Sequence, residues 1–565
     1  MTSHALGLDF GTGSCRALIV DVRDGAELAL GVADYAHGVD GVVTDPADRE
    51  LARQVPADWR AASLAAIRTA LAGAAEQGVA ASSIVGIGVD ATASTPLALA
   101  ADLTPLADDP RFAHVPEALA WLWKDHTAQR EAEAITAALR AHAPLALERC
   151  GGSYSAEWFW SKALAAARRA PELIASCAGF VELCDHVPAW LCGVRHPRGL
   201  VRSLGAAGHK AAYVAELGGL PSRAVLAALA REHAPAAVDA FVGLRADEDA
   251  VFAAVDRRAG GLSAAIARAT GLVPDTAVAV GGIDAHLGAV GAGVREGDLV
   301  KVLGTSACDL AIVRGARAPS AAGLSGVVPD SIVPGAFGVE AGQAAFGDAF
   351  AWAARLGGAK SHADFEAEAL RTAPGSSGLL ALEWLNGNRC VLADPGLCGA
   401  ILGLDLHTRP SEIWRAMVEA ACFGARVIVE RAIANGVPVA RVIVCGGIAR
   451  KSGFVVQTLA DVLGREVVVA ESSETSALGA AIAGAVAAGR HPDVPAAQAA
   501  MCRPPRRTHV PQPRAAATLD RLYGLYRKLH DAFGGVRTEA LGSVMKDLRA
   551  IRAGCELGEK RTHAV

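Results

Sequence analysis

Leu6-Gly-Leu-Asp-Phe-Gly-Thr-Gly-Ser-Cys-Arg-Ala-Leu-Ile-Val-Asp21 recurs in altered form as Val300-Lys-Val-Leu-Gly-Thr-Ser-Ala-Cys-Asp-Leu-Ala-Ile-Val313. Aligning Gly11-Thr12 with Gly304-Thr305 also matches Cys15 with Cys308, Ile19 with Ile312 and Val20 with Val313. Each copy predicts an apolar strand, a tight Gly-Thr turn and a second apolar strand. In such a hairpin the turn amides point outward together and form a small concavity suited to an anion. Two of them in one chain predict two related lobes offering their turns to one polyphosphate from opposite sides.

The remaining sequence is compatible with that plan. A chain of 565 residues exceeds what one hydrophobic core usually supports, so two large domains are expected. With 52% hydrophobic and 20% charged residues it reads as a packed globule. The formal charge of −5 argues against a nucleic-acid or membrane-surface partner. None of the 12 cysteines forms a C-x-x-C pair, and Cys15, Cys308 and Cys445 lie in apolar runs, which predicts reduced, buried thiols. The N-terminus enters a strand almost at once and carries Asp9, so it does not read as a signal peptide. No charge-free apolar run of about 18 residues occurs. A cytoplasmic chain is expected.

Pattern and punctuation predict a third strand near Glu27–Ala33, a helix over Ala57–Ala75 and a buried parallel strand over Ile84–Asp90. Helices are expected over Thr127–Arg140 and Glu157–Ala170, whereas residues 195 to 260 lack clear punctuation. Thr276–Asp284 reads as a strand and turn, and Ala285–Gly293 as a helix bridging the lobes. In the second lobe, Arg441–Gly447 is a strand ending in a Gly-Gly turn, with a helix through Asp461, a strand over Arg465–Ala470 and a small-residue helix over Ser476–Ala488. Pro504, Pro505, Pro511 and Pro513 mark a linker, Leu519–Phe533 an amphipathic helix that packs back, and the last residues a mobile tail. The boundaries expected are 1–295, 296–500 and 501–565.

Three places carry chemistry. At the first hairpin, Asp9 with the hydroxyls of Thr12 and Ser14 suits magnesium held beside phosphate oxygens. No G-x-x-x-x-G-K-[ST] occurs, which excludes a P-loop. Gly86-Ile-Gly-Val-Asp-Ala91 fits a dinucleotide fingerprint only formally, because its residues belong to the strand and Pro96 obstructs the helix that should follow. Gly446 and Gly447, bare backbone at a strand end, suit a ribose or base. Asp284 stands where a strand hands over to a helix. An Asp there caps a helix, and it can also accept the proton of an alcohol attacking a γ-phosphate. His286 reads as a packed, hydrogen-bonded residue.

Gly7–Arg16, Leu122–Thr127, Gly281–His286, Gly304–Ser306 and Gly446–Ile448 resemble the motifs of the FGGY carbohydrate kinases. Further marks are Gly86–Pro96, Gly152–Trp160, Glu182–Asp185, Ala207–Lys210, Gly288–Gly293 and Gly338–Gln343. The resemblance covers about residues 5 to 490 and is sharpest toward members acting on ketopentoses. It implies an α/β fold of two ribonuclease-H-like domains around a central cleft, as in the actin, hexokinase and Hsp70 superfamily. Sugar is expected mainly on the first domain and ATP mainly on the second. It implies ATP and Mg2+ as cosubstrate and metal, Asp284 as general base and Asp9 near the metal. Gly11, Thr12, Ser14, Arg16, Gly304, Thr305, Ser306, Gly446 and Gly447 are implied on the ATP side. Ala93, Lys210, Asp284 and Glu340, with Trp123 and Asp125 as wall residues, are implied on the sugar side. The implied reaction is phosphorylation of a ketopentose, L-ribulose first, at its terminal hydroxyl. Xylulose or D-ribulose phosphorylation is the alternative, and a non-catalytic ATP-binding sensor is the more distant one. No nucleic-acid or membrane partner is expected, and a homodimer is compatible.

Overall fold

The computed structural model describes residues 3–245, 250–359 and 362–562. Its centre is a pair of mixed sheets that repeat one topology. In the first, strand His4–Phe10 pairs antiparallel with Ser14–Asp21, which pairs antiparallel with Glu27–Asp34. On the other side of His4–Phe10 lies Ile84–Ala91, parallel, then Ala277–Ala279, parallel, with Arg258–Gly261 antiparallel at the edge. The second sheet repeats this order. Gly297–Leu303 and Ala307–Val313 form the hairpin, Phe337–Gln343 extends it, and Val439–Cys445 and Val467–Val469 run parallel on the far side.

The internal repeat of the sequence is therefore a repeat of strand order, with one slip. Phe10 pairs with Cys15, whereas Cys308 pairs with Val302 and Leu303 with Ala307. The aligned cysteines thus differ by one pairing step, and a one-residue step exchanges the faces of a strand. Cys15 is buried in the first core, while Cys308 reaches a cavity between the lobes.

Two small-residue helices hold the lobes together. Helix Thr475–Ala487 follows the second sheet but lies on the first. A Cβ on Gly7, Gly86 or Gly88 would sit 1.8, 2.0 or 1.7 Å from the carbonyl oxygens of Ala477, Gly484 and Ala480, so glycine at these strand positions is what admits the helix. Helix Asp284–Gly291 does the reverse: it follows the first sheet, and its Leu287, Ala289 and Val290 share a core with Val300, Leu310 and Ile312 of the second. The Ala- and Gly-rich composition is the means by which backbones approach at this interface.

A helical layer covers the first sheet's far side. Pro56–Glu76 buries Trp59, Ala66 and Ile67 against it. Helices Gln129–His142, Phe159–Arg169, Leu204–Ala211 and Arg223–His233 surround a core containing Trp121, Tyr154 and Trp160. The region expected to lack punctuation thus supplies helices. In the second lobe the helix Pro410–Ala434 is buried along much of its length.

Two expectations for the C-terminal stretch need correction. The proline-marked linker contributes strand Arg507–His509, which pairs antiparallel with Val467–Val469 at the edge of the second sheet. Beyond the expected helix, which runs Pro513–Phe533 and buries Leu522, Tyr526 and Leu529, the chain forms another helix, Val544–Thr562. Val544, Leu548 and Ile551 are buried in the second lobe's core, so this stretch is anchored by apolar contact. Positions 563–565 lie outside the described residues. All twelve cysteines are free thiols, and no described helix is long and apolar enough to cross a membrane.

Candidate active site

A cavity of about 180 Å³ opens where the two hairpin turns face one another. Thr12 of the first turn and Gly304, Thr305 and Ser306 of the second line it, together with Ala93, Trp123, Lys210, Asp284 and Glu340. Each turn is closed by its glycine amide, the Gly11 amide donating to the Ser14 carbonyl and the Gly304 amide to the Ser306 carbonyl, both at 3.0 Å; the second turn is one residue shorter, in keeping with the slip in pairing. Ser476, in the first turn of helix Thr475–Ala487, also reaches the cavity, as does Asp284, the first residue of helix Asp284–Gly291. Two helix N-termini therefore point their positive ends at the same space.

Asp284 is held by its own helix, with Oδ1 accepting the Ala285 amide at 2.7 Å. Burial, reinforced by the Asp9 carboxylate, pushes its pKa up to about 7. Such a group is poised to exchange a proton near neutral pH.

Lys210 and Glu340 come from opposite lobes. Lys210 Nζ donates to Glu340 Oε1 at 2.6 Å, and His286 Nε2 lies 2.9 Å from Glu340 Oε2. Burial works against ionisation of Glu340, but Lys210 and His286 outweigh it and hold the carboxyl well below the usual range. His209, itself kept neutral by burial, packs edge-on against His286 at 4.7 Å between ring centroids. His209, His286 and Glu340 could together ligate a metal by spacing, but the Lys210 ammonium already neutralises the carboxylate. His286 is the hydrogen-bonded residue expected, with Glu340 as its partner.

The remaining walls are positioned from beneath. Buried Lys162 donates from Nζ to the carbonyls of Ser94 at 2.6 Å and Leu122 at 2.9 Å, the neighbours of Ala93 and Trp123. Trp123 Nε1 donates to Thr12 Oγ1 at 3.1 Å, which ties the sugar-side wall to the phosphate-side turn. Gln54 Nε2 donates to the Thr12 carbonyl at 2.7 Å.

Asp9 and Asp90 stand side by side, paired in register on adjacent parallel strands. Asp90 is fully buried, and neither of its oxygens meets a hydrogen-bond donor among the described residues. Burial and the Asp9 charge raise it well above the ordinary carboxylate range, and burial raises Asp9 too. The nearby counter-charge is Arg16, whose Nη1 lies 3.5 Å from Asp9 Oδ2 and whose Nε lies 3.4 Å from Glu474 Oε2. Two buried acids beside one half-exposed guanidinium are a hard-oxygen donor set short of positive charge, which fits a magnesium ion.

Some expected residues lie elsewhere. Asp125 does not line the cavity. Its fully buried carboxylate pairs with Arg53, accepts the Ala52 amide at 2.8 Å and accepts the Thr127 hydroxyl at 2.7 Å. It is committed to holding the chain behind Trp123. Ser14 is buried within its strand. Gly446 and Gly447 close the strand Val439–Cys445 beside the second hairpin, outside this cavity. Gly446 has φ +90°, and a Cβ there would meet the Leu303 carbonyl oxygen at 2.6 Å; around Gly447 nothing lies within 4 Å. The first glycine is needed for packing, and the second leaves open space at a helix start.

The sequence reading missed three groups. In the sequence Asp90 reads only as the end of a buried strand; alternation puts it on the face of Gly86 and Gly88, and the register of the parallel strands sets it beside Asp9. Glu157 and Arg389 also line the cavity, with Arg389 Nη2 donating to Glu157 Oε1 at 2.7 Å. Arg389 lies in irregular chain, where no periodicity announces a site.

Comparison with known proteins identifies the family. The family model for the C-terminal domain of the FGGY family of carbohydrate kinases matches residues 299–488. A ribulokinase of Vibrio parahaemolyticus is 39% identical, with 93% of this chain and 95% of that protein covered. A ribulokinase of Shouchella clausii is 38% identical, with 98% of each covered. Among solved structures, a xylulose kinase from Rhodospirillum rubrum superposes with TM-score 0.74 at 24% identity, covering 94% of this chain and 99% of that one. A gluconate kinase from Lactobacillus acidophilus reaches TM-score 0.76 at 18% identity over 94% and 99%. The structural likenesses establish the two-lobed fold that these sugar kinases share, while the full-length sequence identities reach further. This chain belongs to the FGGY family of carbohydrate kinases.

Proposed function

We propose that this protein transfers the γ-phosphoryl group of ATP to the terminal hydroxyl of L-ribulose, giving L-ribulose 5-phosphate, as a cytoplasmic step of L-arabinose breakdown. The observation that carries the phosphotransferase reading is Asp284, a partly buried acid with pKa about 7 lining a cavity flanked by both Gly-Thr turns. The choice of L-ribulose rests on the ribulokinases to which the chain is similar over nearly its whole length.

In this reading the ketopentose lies in the 180 Å³ cavity against Ala93, Trp123, Lys210 and Glu340. Lys210 donates to a sugar oxygen and Glu340 accepts from a hydroxyl, each prealigned by the other and by His286. Asp284 accepts the terminal hydroxyl's proton as the oxygen attacks phosphorus. Because phosphoryl transfer is largely dissociative, the acid chiefly orients the hydroxyl and takes its proton late. The amides of the 304–306 turn, with Thr12 and the start of helix Thr475–Ala487, hold the phosphates, and Gly447 leaves room for the adenosine. Asp9 and Asp90 would hold Mg2+, which supplies charge neutralisation for the phosphates. Residues 1–295 thus serve mainly the sugar and 296–500 mainly ATP, and closure of the lobes excludes water that would otherwise hydrolyse ATP.

The test is coupled ADP release across the four 2-ketopentoses, glycerol and ribitol. The expected result is highest kcat/KM for L-ribulose. A comparable value for glycerol would remove the assignment.

A further inference from the structure

The Asp284 cavity shares Glu157, Trp158, Ser325 and Arg389 with a second cavity of about 100 Å³. The second cavity is lined by none of Asp284, Thr12 and Gly304. These shared residues form the boundary between the two cavities. At that boundary Arg389 Nη2 donates to Glu157 Oε1 at 2.7 Å, and His126 Nε2 lies 3.1 Å from the same oxygen.

The pair joins the lobes. Glu157 stands just before helix Phe159–Arg169, while Arg389 belongs to the chain between strands Leu380–Leu382 and Ala400–Leu402 of the second lobe. Both side chains are mostly buried, at 13% and 22% exposure. Burial opposes the charge on Glu157, yet Arg389 and His126 keep it ionised far below the ordinary range. A buried pair of this kind is costly to open from one side only, because the remaining charge is left without its partner.

We propose that the Glu157–Arg389 pair is the end wall that limits acceptor chain length: it stops a five-carbon ketose and turns away a ketose longer by one CHOH group. The inference rests on the ketopentose reading above. It requires the phosphorylated hydroxyl at Asp284 and the opposite hydroxymethyl group against the pair. With the wall in place, the 100 Å³ beyond it is closed to the acceptor. Without it, the two spaces become one.

The experiment compares kcat/KM for L-ribulose and for a 2-ketohexose in the wild type, in E157A/R389A and in E157Q/R389M. The first variant removes the wall with both charges, and the second keeps its bulk without the ion pair. The ketopentose-to-ketohexose ratio should fall at least about tenfold in the Ala pair, the scale on which one methylene is discriminated by a pocket. In the Gln/Met pair the ratio should hold while both values drop. An unchanged ratio in the Ala pair with measurable ketopentose turnover overturns the proposal. So does an equal relaxation in the Gln/Met pair, which would assign discrimination to charge. If the Ala pair fails to fold, judged by thermal unfolding, E157Q/R389A gives the same reading, since it shortens the wall at Arg389 and leaves no buried charge without its partner. A wild type inert toward every ketopentose sinks the substrate reading instead; the length shift is then read with homologous polyols that the wild type accepts.

Discussion

Lys210 and Glu340 meet across the lobe boundary, with Nζ 2.6 Å from Oε1, so that one sugar-facing cation and one sugar-facing anion hold each other in place. Removing either leaves a buried charge, which costs about 3–5 kcal/mol where the partner cannot be replaced by water. Lys210→Met and Glu340→Gln are each expected to raise the KM for the ketopentose at least about tenfold. The double variant should be less impaired than the sum of the two, by a coupling of about 1.5–3 kcal/mol. Additive losses in the double-mutant cycle would separate the two residues functionally.

Asp284→Asn retains the shape of the helix start but cannot take a proton. It should lower kcat by about 10²–10⁴-fold, the usual share of a general base. Nucleotide affinity, read by calorimetry, should stay within about twofold. Near-normal turnover would remove Asp284 from the chemistry.

The same residue predicts opposite pH trends for activity and stability. With its pKa pushed up to about 7, wild-type kcat/KM should rise with pH through about 7 and then level. The unfolded chain releases this proton near pH 3.9, so the folded state binds more protons between about pH 4 and 7. The stability associated with the neutral acid is therefore present below pH 4 and lost as pH rises through 7. Asp284→Asn should raise Tm at pH 8 and leave it nearly unchanged at pH 4. A Tm difference independent of pH would contradict the raised pKa of Asp284.

Asp9 and Asp90 should act together on the metal. Asp9→Asn and Asp90→Asn are each expected to weaken Mn2+ binding in the presence of a non-hydrolysable ATP analogue at least about tenfold, read by electron paramagnetic resonance. Asp90→Asn should also raise thermal stability without metal at alkaline pH, because it removes a buried acid that resists ionisation and whose oxygens lack a donor. Unaltered Mn2+ affinity in the Asp90 variant would leave that acid with no part in the cation site.

Gly447 and Gly479 separate function from packing. A side chain at 447 meets nothing within 4 Å, so Gly447→Val should change stability by no more than about 0.5 kcal/mol while raising the KM for ATP. A Cβ at 479 would lie 1.8 Å from the Leu287 carbonyl oxygen, where helix crosses helix. Gly479→Ala should destabilise by about 1–3 kcal/mol or more, as overpacking does. Equal Tm values for the two variants would refute this distinction.

Local pattern carried much of this molecule. The Gly-Thr hairpins, the parallel strand ending at Asp90 and the Asp284 helix start are short-range features, written in residues that neighbour one another in the chain. Their repetition was enough to anticipate paired lobes and an acid near a phosphate site. The glycines of strand Ile84–Ala91 were legible too, but as a discarded dinucleotide fingerprint. Their use is to admit helix Thr475–Ala487, nearly four hundred positions away, and nothing local states that.

What remained hidden depends on long-range placement. Asp125 reads as a wall residue beside Trp123, but Arg53 lies against it, because burial of a charge is decided by a partner distant in the chain. The last residues read as a mobile tail, yet three apolar side chains at helical spacing pack into the second lobe's core. Glu157 and Arg389, separated by more than two hundred residues, are neighbours only because the two lobes meet there. Periodicity along a chain reveals which residues face inward; which inward-facing charges meet depends on how the two sheets are stacked, and that is set by the packing of helices each lobe lends to the other.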